Sequence, residues 1–116
     1  MKKEVTAFLV LLRELQKIDP EFPLQYAVCL AEIALDEGLS LTALSRKTGM
    51  PLSTVSRIVG ALSRQRQKGV PYGLIRVAIS PQERRKKELY LTTRGRAIIR
   101  GIAGIVEDSM RRRLQA

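Results

Sequence analysis

The chain has no histidine, no tryptophan, one cysteine, three tyrosines and two phenylalanines. Each scarcity excludes something. Without imidazole, and with Cys29 alone, the usual zinc ligand sets cannot be assembled, so no metal and no cofactor is expected. One thiol rules out an intramolecular disulfide framework. Cys29 lies in Ala27-Val28-Cys29-Leu30-Ala31, an apolar run that suits a small buried hydrophobe better than a redox switch. No Gly-rich phosphate loop is present, and the paired acids Asp36-Glu37 and Glu107-Asp108 sit at the ends of helical patterns, where solvation accounts for them. An enzyme is therefore not expected. No apolar run reaches the roughly 18 residues of a membrane span, and no basic segment leads into a cleavage site. The expectation is a soluble, cytoplasmic protein with no membrane partner.

Acids are scarce in one region only. Residues 40–100 carry fourteen Lys and Arg against Glu83 and Glu88, whereas residues 1–39 carry four bases and seven acids. The net charge of +10 is thus concentrated in one part of the sequence, as on a polyanion-binding surface. With 116 residues, 45% of them hydrophobic, there is enough chain for one core, and residues 1–116 are read as a single domain.

The basic region opens with Leu39 to Leu62, around which the rest is arranged. Ser40 suits an N-cap, with Leu41, Leu44 and Ser45 following at helical spacing. Gly49 can close that helix in the left-handed conformation, and Pro51 suits the start of the next. Val55, Ile58, Val59 and Leu62 then define one buried face. Helix, short Gly-containing turn and helix make a helix-turn-helix. The residues left outside, Leu52, Ser53, Thr54, Ser56 and Arg57, are candidates for meeting base edges in a major groove, with Arg57 suited to bidentate guanine recognition. Arg46, Lys47 and Arg64 are candidates for phosphate contacts. The alternative is an ordinary helical hairpin with a solvated polar face.

Upstream, residues 3–18 read as a helix whose apolar stripe, including Val5, Phe8, Leu9 and Leu12, is wider than a surface helix needs. Pro20 and Pro23 end it. A second helix is expected from about Pro23 to Glu37, apolar nearly all round from Tyr26 to Leu35 and so central, with Gly38 as its stop. Downstream, the reading helix is expected to extend one or two turns through Arg64 and Arg66 before a long linker over residues 63–72 stops it. Leu74 to Ser80 and Glu88 to Thr92 are strands, with Ile75, Val77 and Ile79 on one face and Leu89 and Leu91 inward. The charged turn between them places Arg84, Arg85, Lys86 and Lys87 at the tip of a hairpin, a wing able to enter a minor groove. The bland alternative is a solvated hairpin turn.

Gly73-Leu74-Ile75, Glu83-Arg84-Arg85-Lys86-Lys87 and Leu91-Thr92-Thr93-Arg94-Gly95-Arg96 together resemble the wing and following helix of the MarR family of winged-helix transcriptional regulators. Leu41 to Leu62 is similar to that family's helix-turn-helix, and the likeness spans about residues 24–100. It implies dimeric recognition of a palindromic operator in double-stranded DNA, often relieved by a small phenolic ligand, and a carboxylate brace on Arg85. Here the brace acid is Glu83 where Asp is usual. With only about 20 residues left for the C-terminal arm, ligand sensing is not carried over, and a small-molecule effector stays open.

Thr93 to Leu114 reads as one last helix, capped by Thr92 or Thr93, with two apolar lines through Ile98, Ile102 and Ile105 and through Ile99, Ala103, Val106 and Met110. Together with the first helix it is expected to build a two-fold homodimer interface, or else both pack on their own domain. The expected fold is mainly α with a small β-hairpin: a winged helix-turn-helix with dimerisation helices at 1–19 and 93–116 and a DNA-binding lobe at 24–92. The expected function is a homodimeric, sequence-specific DNA-binding regulator, a repressor reading a palindrome with helix 52–64 and a basic wing at 80–88. The alternatives are an architectural or replication/partition-type DNA binder of the same fold, and a protein-interaction module.

Overall fold

Proline and glycine divide the chain where helices must stop. In the computed structural model, which describes residues 1–64 and 70–115, helix α1 (Lys2–Gln16) ends before Asp19, whose carboxylate accepts the Glu21 amide at 2.9 Å. Helix α2 (Leu24–Leu35) starts directly after Pro23. Helices α3 (Leu41–Thr48) and α4 (Leu52–Leu62) follow, then strands β1 (Ile75–Ile79) and β2 (Lys87–Leu91), and finally α5 (Thr93–Gln115). The chain divides into two units, Pro23–Arg96 and Met1–Phe22 with Ala97–Ala116.

The first unit has its own core. Cys29, Leu30 and Ile33 of α2 and Leu44 of α3 are fully buried, as are Val55, Ile58 and Leu62 of α4 and Leu74, Ile75 and Leu89 of the hairpin region. The turn between α3 and α4 is fixed by short polar groups. Ser40 accepts the Ala43 amide at 3.1 Å, capping α3 as its position suggests. Gly49 takes φ +73° and ends α3, Ser45 donates to the Met50 carbonyl at 2.6 Å, and Thr48 accepts the Met50 amide. This turn holds α4 at a set angle to α3, with its core face inward.

The hairpin is antiparallel, with Ile75 opposite Leu91, Val77 opposite Leu89 and Ile79 opposite Lys87. Residues 38–40 add a partial third strand: the Gly38 amide donates to the Leu89 carbonyl at 2.7 Å, and the Leu89 amide donates to the Leu39 carbonyl at 3.0 Å. On the far side, Thr92 caps α5 by accepting the Gly95 amide at 3.0 Å and donates to the Gly73 carbonyl at 2.8 Å. Gly95 is required by close approach, because a Cβ there would collide with the Leu74 carbonyl. This is a winged helix-turn-helix fold.

Four details depart from the sequence reading. Helix α2 stops at Leu35, and only one of its faces is buried: Leu24, Val28 and Leu35 are exposed. Helix α4 stops at Leu62 with Ser63 as C-cap, so Arg64 lies in the turn beyond it, while Arg66 and most of the linker fall outside the described residues. β2 begins one residue early, which takes Lys87 out of the tip and into the ladder. The face shared by Ile75, Val77 and Ile79 leaves the core as the hairpin extends, so Ile75 is buried while Ile79 is 66% exposed.

In the second unit, α1 contains no buried residue. Glu14 of α1 lies against Gly101 of α5, where an added Cβ would sit 3.4 Å from the carboxylate. Val5, Phe8, Leu9 and Leu12 of α1 and Val106 and Met110 of α5 are exposed. No helix among the described residues is long and apolar enough to cross a membrane.

Candidate nucleic-acid interface

The exposed side of α4 and the tip of the hairpin face one another across a groove of about 670 Å³. Leu52 and Ser56 form the α4 wall, and Arg84, Arg85, Lys86 and Lys87 form the wing wall together with Glu83. Arg46 of α3 lines the groove too, joined by Ser40, Leu41 and Thr42 at the start of that helix. The last three carry no signal in a sequence reading, because their part in the groove depends on how α3 meets the wing. The isolated bridge between Ser40 and Glu88 ties the two together.

The remaining candidates are spread around this groove. Ser53 and Arg57 are exposed on α4 but do not line it, and Thr54 is half-buried. Lys47 is turned to Asp36, with Nζ 2.8 Å from Oδ2, so it already has an anionic partner. Arg64 is exposed in the turn after α4. Among the described residues no ion pair occupies Arg46, Arg57, Arg84, Arg85, Lys86 or Lys87.

The brace that the family resemblance implied between Glu83 and Arg85 is not among the ion pairs of the described residues. Backbone and a hydroxyl hold the wing tip instead. Buried Ser80 accepts the amides of Gln82 and Glu83 at 3.3 and 3.4 Å, its own amide donates to the Lys86 carbonyl at 2.8 Å, and Lys86 N–H reaches the Glu83 carbonyl at 3.0 Å. A turn closed by Ser80 leaves both Glu83 and Arg85 facing the groove.

The base of the wing is anchored by a carboxylate, Glu37, that the sequence reading assigned to solvation at a helix end. Glu37 Oε1 accepts the Leu91 amide at 2.8 Å and a guanidinium N–H of Arg96 at 3.1 Å. The Leu91 hydrogen bond, aided by Arg96, holds the Glu37 carboxyl below its ordinary range. On the outer face of the hairpin Arg76 lies over the Tyr90 ring, 4.4 Å from its centroid, and Tyr90 donates to Glu88 at 3.2 Å. Arg94 donates to the Tyr72 carbonyl at 2.8 Å.

Chemically, the groove offers cations, hydroxyls, the carboxylate of Glu83 and two aliphatic edges from Leu41 and Leu52, with no cluster of three or more metal-ligating side chains among the described residues. Cys29 is fully buried in the α2 core and away from this site. Burial, with the nearby charge of Glu32, pushes its thiol up to about 11, so it stays protonated and inert at neutral pH.

Comparison with known proteins fits this geometry. Residues 30–67 match the IclR helix-turn-helix domain. No curated protein matches the chain. Among solved structures, MarR is 24% identical, with a TM-score of 0.64 over 84% of this chain and 65% of that one. A MepR variant from S. aureus bound to an oligodeoxyribonucleotide is 17% identical, with a TM-score of 0.75 over 97% of this chain and 76% of its own. FabT from Streptococcus pneumoniae, in complex with DNA, is 19% identical, with a TM-score of 0.72 over 99% of this chain and 80% of its own. The chain thus spans about two thirds of the length of MarR and shares its fold.

Proposed function

We propose that this chain is a MarR-type transcriptional regulator: a cytoplasmic, non-catalytic homodimer that binds double-stranded DNA sequence-specifically and represses by occupying promoter DNA. The observation that carries the reading is the convergence of the α4 surface and four consecutive wing cations on one groove. Against these cations and Arg46, the groove is lined by a single acid, Glu83. Ser53, Ser56 and Arg57 of α4 enter the major groove, Arg84 to Lys86 follow the backbone into the adjacent minor groove, and Arg46 takes a phosphate. Lys47, already paired with Asp36, contributes less than the sequence suggested. The exposed apolar residues of α1 and α5 favour a second copy as partner, since cyclic dimers are the commonest assembly.

The test is selection from a random duplex library with the purified protein, followed by sequencing of what is retained. An inverted repeat with half-sites roughly 10 base pairs apart is the expected result for a two-fold reader. Retention without any enriched motif would point to an architectural binder, and no retention at low salt would end the nucleic-acid reading.

A further inference from the structure

The groove between α4 and the wing holds one feature that phosphate binding does not explain. Its lining of charged groups and hydroxyls is interrupted by two aliphatic side chains, half-buried Leu41 of α3 and Leu52 of α4, and Leu52 is 49% exposed. An aliphatic side chain gains nothing from a phosphate oxygen, and leaving it in water forgoes the free energy of burial. Nor does α4 need Leu52 for anchorage, because Val55, Ile58, Val59 and Leu62 already seat the helix in the core. Leu52 is the first residue of α4, and Ser56, one turn on, lies on the same side of the helix and lines the same groove.

In the major groove the base edges present a single apolar group, the C5 methyl of thymine. Resting on the DNA-reading function proposed above, we infer that Leu52 is a specificity-determining residue that selects thymine by covering this methyl. Ser56 stands beside it to contact the same or the adjacent base edge. Arg57 is exposed further round the helix and does not line the groove, so the base it reads is a neighbour of that thymine.

The experiment uses the full chain and the duplex most enriched from the random library. Each thymine is replaced in turn by deoxyuridine, which removes the methyl and leaves the pairing edge unchanged. In wild-type protein one thymine of each half-site loses about fourfold in affinity when its methyl is removed, the equivalent of one methyl group taken out of water. Leu52→Ala binds thymine and uridine duplexes alike at that position, and Leu52→Met, which keeps an apolar contact, retains most of the difference. A half-site in which no thymine methyl matters, or a uridine penalty undiminished in Leu52→Ala, overturns the inference while leaving DNA recognition standing. Failure to enrich any sequence overturns the DNA-reading function itself, and this inference with it.

Discussion

The two units of this chain solve the same problem differently. Pro23–Arg96 holds a core of buried apolar residues from Cys29 to Leu91, with Leu24, Leu35 and Ile79 left at its surface, whereas α1 has no buried residue and Phe8 and Met110 stand 59% and 63% exposed. Charge divides along the same line. The lobe holds thirteen Lys and Arg against five acids, and the other unit holds eight against six. A segment with a complete core and a surplus of one sign is built to meet a polyanion. A segment with an incomplete core and nearly balanced charge is built to meet another apolar surface. On the proposed function, DNA binding and dimerisation therefore fall to segments that differ in sequence and in chemistry.

The largest expected effects probe that separation directly. Ile33→Ala, which opens a cavity among fully buried residues, should destabilise the lobe by about 3 kcal/mol in denaturant unfolding, independent of protein concentration. Phe8→Asp should leave that transition in place and instead halve the mass seen by sedimentation, abolishing any dependence of the melting temperature on concentration. Loss of the lobe transition in Phe8→Asp, or an unchanged mass, would show that the two units do not divide the work in this way.

Next in size is base recognition. Arg57→Ala should cost about 1–3 kcal/mol on the preferred duplex and relax one base position, measured by titration against single-base variants. Arg112→Ala, an equally exposed cation in the other unit, should leave DNA affinity within twofold or so. Equal losses on every sequence for Arg57→Ala would make it a phosphate contact instead. Smaller still is the wing: Arg84→Ala should weaken all sequences alike and flatten the plot of log affinity against log salt by about one unit. Lys47→Ala should change that slope by less, because Asp36 already holds it at 2.8 Å.

What could be read in the sequence was whatever depends on neighbours within a turn or two. The buried face Val55, Ile58, Val59 and Leu62, the Ser40 cap, the positive φ of Gly49 and the hairpin all follow from spacing and residue type, and all are present. Contacts across long separations were not legible. The Lys47–Asp36 pair joins the end of one helix to the end of another. The partial strand at residues 38–40 is too short to show a period of two, and it exists only because β2 lies alongside. The exposure of Ile79 is likewise invisible in the alternation, which shows that three residues share a face but not where that face runs out of core. The Glu83–Arg85 brace came only from the family resemblance; among the described residues Ser80 accepts the Gln82 and Glu83 amides at the wing tip and no such ion pair is present.

Glu37 gives the finest test, because it belongs to the self-sufficient lobe and yet is only partly shielded from water. Its carboxylate, 54 residues from Leu91 in sequence, joins the end of α2 to the last residue of the returning strand and to the start of α5 through Arg96. Glu37→Gln keeps the shape but removes the charge, and should destabilise the lobe by no more than about 1 kcal/mol, given the exposure of the group. Because the folded carboxyl titrates below its ordinary value of 4.5, the stabilisation is full above that pH and shrinks as the pH falls through the depressed folded value. Unfolding measured in parallel for wild type and Glu37→Gln should therefore show a constant gap near neutrality that closes in acid. Phe8→Asp, altered in the other unit, should show the same closing gap when combined with Glu37→Gln, since the latch lies wholly within Pro23–Arg96. A gap that widened in acid, or vanished in the Phe8→Asp background, would mean that Glu37 serves the assembly and not the lobe.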